Sequence, residues 1–331
     1  MTQISLSQWM SDPGVSRRTA TVFGMVAQCA MDITRALRAA AVAGDGAAAQ
    51  AVNVQGEVQK KLDVVANEIF LRRVVACGVL AAMVSEELDD IELVRDCSPN
   101  ATLALVFDPL DGSSNLEING AVGSIFSLID LGKSRNISAQ DVFRPGSEQV
   151  AAGYVLYGPA TIMVLTDGLS VAVFSLDEQN ATFLLVKDNV RIAPDAGEFA
   201  INASRDKAWF EPTRDFIAAC LAGEAGPYEK AYNMRWCAAM VADLHRIVCR
   251  GGIFLYPEDE GTKDKGGRLR LLYEANPMSL IVEAAGGLAT NGTDRILDIV
   301  PSSLHQRVGV IIGSRNEVER ARSLYRQPQY G

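Results

Sequence analysis

The sequence predicts a layered α/β protein built as two domains. Short apolar runs of strand length alternate with longer segments of helical periodicity. The alternation persists in both halves of the chain, and the polar stretch KDNVRIAPDAGEF interrupts it near residue 190. The expected domains are therefore residues 1–190 and 191–331. At 331 residues, with 48% apolar and 21% charged side chains, the chain is long enough to bury a large core and too apolar for disorder.

Residues 17–43 carry apolar side chains three and four apart and are expected to be helical. AGDGAAAQAVNVQGEVQ is rich in Ala, Gly and Gln without a strong period, which suits a mobile connector ahead of a second helix in KKLDVVANEIFLRRVVA. VLAAMVSEE is an apolar run that stops at acids. LALVF reads as a buried strand ending at Asp108, GSIFSLIDL as another, and AAGYVLYG, TIMVLTD and VAVFSL as consecutive strands of a second face. Beyond the boundary, MRWCAAMVADLHRIVCR is expected to be a helix stopped by Gly251 and Gly252, with GIFLYP a strand after it. RLRLLYE reads as a strand leading into a helix with Asn276 as N-cap and Pro277 at its first position. RVGVIIGS and NEVERARSLY make a last strand–helix pair.

Composition narrows the chemistry. A net charge of −9 argues against nucleic-acid and membrane-surface partners, which need a basic face. Only His245 and His305 are present, so Ser-His-Asp, Cys-His and multi-histidine metal chemistry are nearly excluded. The six cysteines show no C-x-x-C spacing and suit buried thiols in a reducing compartment. No secretory signal and no apolar run of membrane-spanning length is visible, so a cytoplasmic location is expected.

The stretch VFDPLDGSSNLEING concentrates the chemical signal. Proline fixes one φ between Asp108 and Asp111, and the Asp-Gly step bends the chain, so both carboxylates and the Leu110 carbonyl can aim at one point. Three hard oxygen donors on a short turn suit Mg²⁺ or Mn²⁺; the same pentapeptide also reads as a plain β-turn. Gly112, Ser113 and Ser114 follow with N–H groups and hydroxyls where a short helix can begin, a layout that binds phosphate. Glu86, Glu87 and Glu274 stand at other expected strand ends. Acids converging there would raise one another's pKa unless divalent cations neutralised them. Asp63 and Glu57 are not selected by patterning: a surface aspartate is the ordinary explanation of the first, and the second lies in the connector, from which it could close over a site.

Taken together, DPLDGSSN, SEE, GEVQKKLD, MVADLHR, GGIFLYP and KGGRLRLLYEANP…EAAGG resemble class I fructose-1,6-bisphosphatases, collinearly over about residues 50–320. The resemblance implies a five-layered α/β/α/β/α sandwich of the sugar phosphatase type and a Mg²⁺-dependent homotetramer with two or more cations per site, Mn²⁺ being a possible substitute. It further implies that Asp108, Asp111 and Glu274 hold one cation, and Glu86, Asp108 and the Leu110 carbonyl a second. By the same resemblance, Asp63 and Glu87 activate water, Glu57 closes the site on a mobile loop, and Arg270 lies near the loop acid and phosphate. Asp111, Gly112, Ser113 and Ser114 would cradle the 1-phosphate. Asn202, Arg235 from a neighbouring subunit, Trp236, Met240, Tyr256 and Arg268 would contact the far end of the sugar bisphosphate.

This sequence departs from the family in several places: Arg268 replaces a usual lysine, Trp236 a tyrosine, and Arg205 a common tyrosine. The expected activity is Mg²⁺-dependent hydrolysis of the 1-phosphate of fructose 1,6-bisphosphate, in gluconeogenesis or carbon fixation; those changes leave sedoheptulose 1,7-bisphosphate, alone or as a second substrate, as the alternative. A silent sugar-phosphate sensor is disfavoured by the retained acids. VSRRTATVFG and Thr102-Leu103 stand where AMP-inhibited relatives have other residues, which implies weak or absent AMP inhibition.

Overall fold

The computed structural model describes residues 3–11, 14–44, 54–94, 97–132 and 136–326. Helices α1 (Leu6–Trp9), α2 (Arg17–Gly44) and α3 (Val54–Val75) precede eight strands: β1 (Leu80–Ser85), β2 (Glu92–Leu93), β3 (Leu103–Asp111), β4 (Val122–Asp130), β5 (Gln149–Tyr157), β6 (Thr161–Thr166), β7 (Val171–Asp177) and β8 (Thr182–Lys187). These form one sheet in the order β2-β1-β3-β4-β5-β6-β7-β8. The β1–β3 pair is parallel and its other neighbouring pairs are antiparallel. All nine residues of β3 are buried, because both faces of the sheet are covered at its centre. Phe23, Val26 and Phe70 of α2 and α3 cover one face, packing with Phe107, Phe126 and Phe174. The Phe70 and Phe107 rings stack with centroids 4.6 Å apart.

The rest of the chain runs through β9 (Glu198–Ile201), α4 (Glu211–Leu221), β10 (Asn233–Met234), α5 (Met240–Arg250), β11 (Ile253–Tyr256), β12 (Leu269–Arg270), a π-helical turn at Leu271–Ala275, α6 (Asn276–Ala284), β13 (Leu288–Thr290), β14 (Arg307–Val308), β15 (Val310–Gly313) and α7 (Arg315–Tyr325). A second sheet has the order β10-β9-β11-β15-β13, and β12 pairs separately with β14. Helices α5 and α6 lie between the sheets. Their Val241, Leu244, Met278 and Ile281 share one core with Ile125 and Tyr154 of the first sheet and Phe254 and Ile312 of the second. Helices α4 and α7 cover the outer face, where Phe216 and Val318 meet Phe199, Leu255 and Ile311. The stack is therefore α2–α3, sheet, α5–α6, sheet, α4–α7, the five layers expected. No helix among the described residues is long and apolar enough to cross a membrane.

Several local expectations are corrected. The second helix starts at Val54, so Glu57 belongs to α3 and not to a connector; its side chain, with residues 45–53, lies outside the described residues. β5, β6 and β7 continue the sheet that carries β3 instead of making a second face. Helix α5 begins only at Met240, which leaves Arg235 and Trp236 on an extended segment before it. RLRLLYE is a strand for two residues and then a π-turn that runs directly into α6. Asn276 therefore continues a helix that has already begun and caps nothing; its Oδ1 is buried without a hydrogen-bond partner.

Candidate active site

The strand β3 runs on through Asp111 instead of ending at Asp108, and it does so by bulging. Asp108 faces Ile125 of β4 and Asp111 faces Gly123, so three steps on one strand match two on the other. Pro109 sits in the bulge, where its missing N–H breaks no ladder bond. The extra residue turns Asp108, Leu110 and Asp111 away from strict alternation. Two bonds fix the turn: Leu110 N–H donates to Asp108 Oδ1 at 2.9 Å, and Ser124 Oγ donates to the Pro109 carbonyl at 2.7 Å.

Asp108, Asp111 and Glu274 are all buried and bring one carboxylate oxygen each within 4.8 Å of one another. Glu274 comes from the π-turn, whose wider winding places it beside the bulge and not at a strand end as expected. Its Oε2 accepts the Arg270 N–H at 2.6 Å. Asp111 Oδ2 accepts the Val241 N–H at 2.8 Å, at the start of α5. The site thus draws on the first sheet, on α5 and on the turn before α6.

Burial pushes the carboxyls up. Asp111 reaches about 7, with its Val241 hydrogen bond opposing the shift. Asp108 and Glu274 lie well above the usual carboxylate range, through burial first and then through Glu86 and the other acids. Three buried carboxylates this close cannot all be charged without cations. Glu86 leaves the end of β1, and Arg270 Nε lies 3.3 Å from its Oε1.

Asp63 and Asn67 lie one turn apart on α3, on the face toward the end of β1. Ser85 Oγ donates to Asn67 Oδ1 at 2.8 Å and accepts the Glu87 N–H at 3.2 Å, which docks α3 against the acid pair. Asp63 is pushed up to about 6 by burial and then by Glu87, while a hydrogen bond from Ser113 opposes the shift. Burial and Glu86 also raise Glu87. The structure therefore brings Asp63, Glu86, Glu87, Asp108, Asp111, Ser113, Arg270 and Glu274 into one electrostatic neighbourhood.

Gly112 sits at φ +75°, and a Cβ there would stand 2.4 Å from Ala239 Cβ, so the turn requires glycine for backbone and space alike. After it, Ser113–Ile118 winds as a 3₁₀ turn, with Ser114 exposed.

The far wall is a separate group. Trp236 stacks on Phe254 with centroids 5.8 Å apart at 8°, and tilts against Tyr256. The Arg268 guanidinium lies 5.8 Å from the Tyr256 ring centroid. Met240 is buried at the start of α5. Asn202 follows β9, its Oδ1 accepting from Ser204. Arg235 is exposed. Arg205, noted as a departure, is held bidentately by Asp259 at 2.8 and 2.7 Å.

Nothing in the local sequence marks Arg307. It pairs across β12–β14 with Arg270 and donates to the Arg268 carbonyl at 2.9 Å, which collects three arginines beside the acids. Neighbouring Arg268 and Arg270 carry the signal in KGGRLRLLYE, but only strand pairing brings Arg307 to them.

The chain matches two family profiles: Fructose-1-6-bisphosphatase, N-terminal domain, over residues 6–188, and Fructose-1-6-bisphosphatase, C-terminal domain, over residues 192–326. It is 49% identical over 327 residues to the fructose-1,6-bisphosphatase class 1 of Acinetobacter baumannii, covering 98% of this chain and 100% of that protein. It is similar to the crystal structure of Leishmania major fructose-1,6-bisphosphatase in holo form, with a TM-score of 0.88 at 32% identity, covering 98% of this chain and 100% of that one. The apo form of the same enzyme gives 0.85 at 31% identity over the same coverage. With profiles covering both halves and a close relative matched from end to end, the chain belongs to the class 1 fructose-1,6-bisphosphatase family.

Proposed function

We propose that the chain hydrolyses the 1-phosphate of fructose 1,6-bisphosphate, giving fructose 6-phosphate and inorganic phosphate, with Mg²⁺ as its cofactor. The observation that carries this reading is the buried Asp108–Asp111–Glu274 cluster next to the Gly112 turn, in a chain that matches the family over both halves. The donor set fits hard divalent cations: every ligand is oxygen, and the carboxyls are held above their usual range by burial first and then by neighbouring acids. Asp108, Asp111 and Glu274 would hold one ion; Glu86, Asp108 and the Leu110 carbonyl a second; Mn²⁺ has the same preference for oxygen. Bound cations would neutralise the phosphate and the departing sugar oxygen.

The chain's own groups carry the proton and the substrate. Asp63, raised to about 6, is a base matched to neutral pH, and the Ser113 hydroxyl orients it. Glu87 shares the task of positioning water, and Glu57, on the first turns of α3, would complete the site. Gly112, Ser113 and Ser114 would cradle the transferred phosphate, with Arg270 opposite. Asn202, Trp236, Met240, Tyr256 and Arg268 would receive the distant part of the sugar, together with Arg235 from a neighbouring subunit of a homotetramer. The domain division near residue 190 is supported by the two profiles meeting between residues 188 and 192. Six free thiols suit a cytoplasmic enzyme of gluconeogenesis or carbon fixation. Sedoheptulose 1,7-bisphosphate has no separate support, since the named relatives are fructose-1,6-bisphosphatases.

Phosphate release is the test: the reading requires turnover of fructose 1,6-bisphosphate with Mg²⁺ and its loss with excess chelator. Turnover that survives exhaustive chelation, or none on this sugar, overturns it.

A further inference from the structure

The segment 235–239 leaves the second sheet at β10 and crosses to the bulge of the first. Its amide at Cys237 is held from both sides. The Cys237 N–H donates to Asp243 Oδ1 at 2.9 Å, and the Cys237 carbonyl accepts from Asn115 Nδ2 at 2.9 Å. Asn115 belongs to the 3₁₀ turn that follows Gly112, and the same amide group donates to the Ala121 carbonyl at 3.2 Å. Asp243 is 2% exposed and lies one turn into α5, whose Val241 N–H binds Asp111. Both gripping side chains are buried, although Cys237 itself is exposed. The next residue, Ala238, has φ +61°, a left-handed conformation that a side chain disfavours. Ala239 then meets the Gly112 turn.

A strained, doubly held crossing is costly unless its position matters. One residue before the clamp stands Trp236, stacked on Phe254; one residue behind its other jaw stands Ser114. The geometry points to Asn115 and Asp243 as positioning residues that set the spacing between the phosphate cradle and the aromatic far wall, and so select the length of the sugar bisphosphate. This rests on the proposed function, because it presumes that cradle and far wall grip the two ends of one substrate. Both side chains are turned to main-chain groups, Asn115 to the Cys237 and Ala121 carbonyls and Asp243 to the Cys237 N–H. A loosened clamp would leave the chemistry intact once substrate is seated, while weakening the match to a six-carbon sugar.

The experiment measures kcat and KM of wild type, Asp243→Ala, Asp243→Asn and Asn115→Ala on fructose 1,6-bisphosphate and sedoheptulose 1,7-bisphosphate, with inorganic phosphate as a competing ligand. For Asp243→Ala the KM for the fructose substrate should rise about tenfold, the loss of one charge-assisted hydrogen bond, with kcat within about twofold. The preference for fructose over sedoheptulose bisphosphate should shrink, and inhibition by phosphate should not change. Asp243→Asn keeps an acceptor for the Cys237 N–H and should restore most of the KM. Asn115→Ala cuts the other jaw and should reproduce the shift, which keeps the test decisive if Asp243→Ala does not fold. An equal loss on both sugars, or a fall in kcat at constant KM, overturns the clamp while leaving the enzyme assignment standing. A wild type inactive on both sugars overturns the assignment and the clamp together.

Discussion

Arg270 Nε lies 3.3 Å from Glu86 Oε1 while the Arg270 main-chain N–H binds Glu274 at 2.6 Å, so one residue joins acids from opposite ends of the chain. This guanidinium partly balances the charge of the acids. Replacing Arg270 by Met should lower kcat about 10²-fold at saturating Mg²⁺, the scale of losing one fixed positive partner. The half-saturating Mg²⁺ concentration should not rise, because a competing positive charge has been removed. Cation titration of activity separates the two effects.

Asp63→Asn and Glu87→Gln should each reduce turnover by about 10²–10⁴-fold, as expected when a proton acceptor or its partner is lost. Both variants should still bind cation, since the buried Asp108–Asp111–Glu274 set is untouched. Calorimetric Mn²⁺ binding alongside activity checks this; full activity in both variants would remove the water-activating roles.

The raised carboxyls make stability depend on pH with a definite sign. Each contributes stability that is complete below its unfolded value of 3.8 and is lost as pH rises through the folded value, about 6 for Asp63 and about 7 for Asp111. Asp130, Glu198 and Glu317 are held low and act oppositely, losing their contribution only in acid. Chelated protein should therefore melt highest near pH 5 and lower at pH 8. Added Mg²⁺ should raise the melting temperature strongly at pH 8 and little at pH 5, where protons occupy the oxygens. Thermal scans with and without chelator test it.

Gly112→Ala forces a side chain into φ +75° and against Ala239. The left-handed backbone alone costs about 1–2 kcal/mol, and the contact adds to it. Melting temperature and kcat/KM should both fall. Gly112→Ala with Ala239→Gly should recover part of the stability, because it relieves the contact and not the backbone.

Arg18 donates to the Thr102 hydroxyl and pairs with Asp130 at 2.9 Å. Thr102 is one of the departures from AMP-inhibited relatives, and here it is engaged by the protein itself. Micromolar AMP should leave activity unchanged, and Arg18→Ala should alter stability by less than about 1 kcal/mol, as for an exposed ion pair. Dose–response curves on both proteins check this.

The sequence made the layers legible because burial imposes strong periodicity on α2 and a continuous apolar run on β3. Asp108 and Asp111 were legible for a similar reason: proline and Asp-Gly are local punctuation. Glu274 is legible but its setting is not, since a π-turn has no pattern that distinguishes it from a strand flowing into a helix. The place of Trp236 is hidden because WCAAM has helical spacing, while Ala238 adopts a left-handed turn. Arg307 and Asp243 left no local trace; what each does depends on a partner far away in sequence.

The Asp111–Val241 hydrogen bond has a consequence for assembly. An aspartate from the first 190 residues completes its shell only when the N-terminal end of α5 docks, and Glu274 arrives with the same half. Cut at that point, neither fragment would own the whole Asp108–Asp111–Glu274 set. Cations should thus act as rivets between the halves, and mixing the two fragments should regenerate catalysis only when Mg²⁺ is supplied.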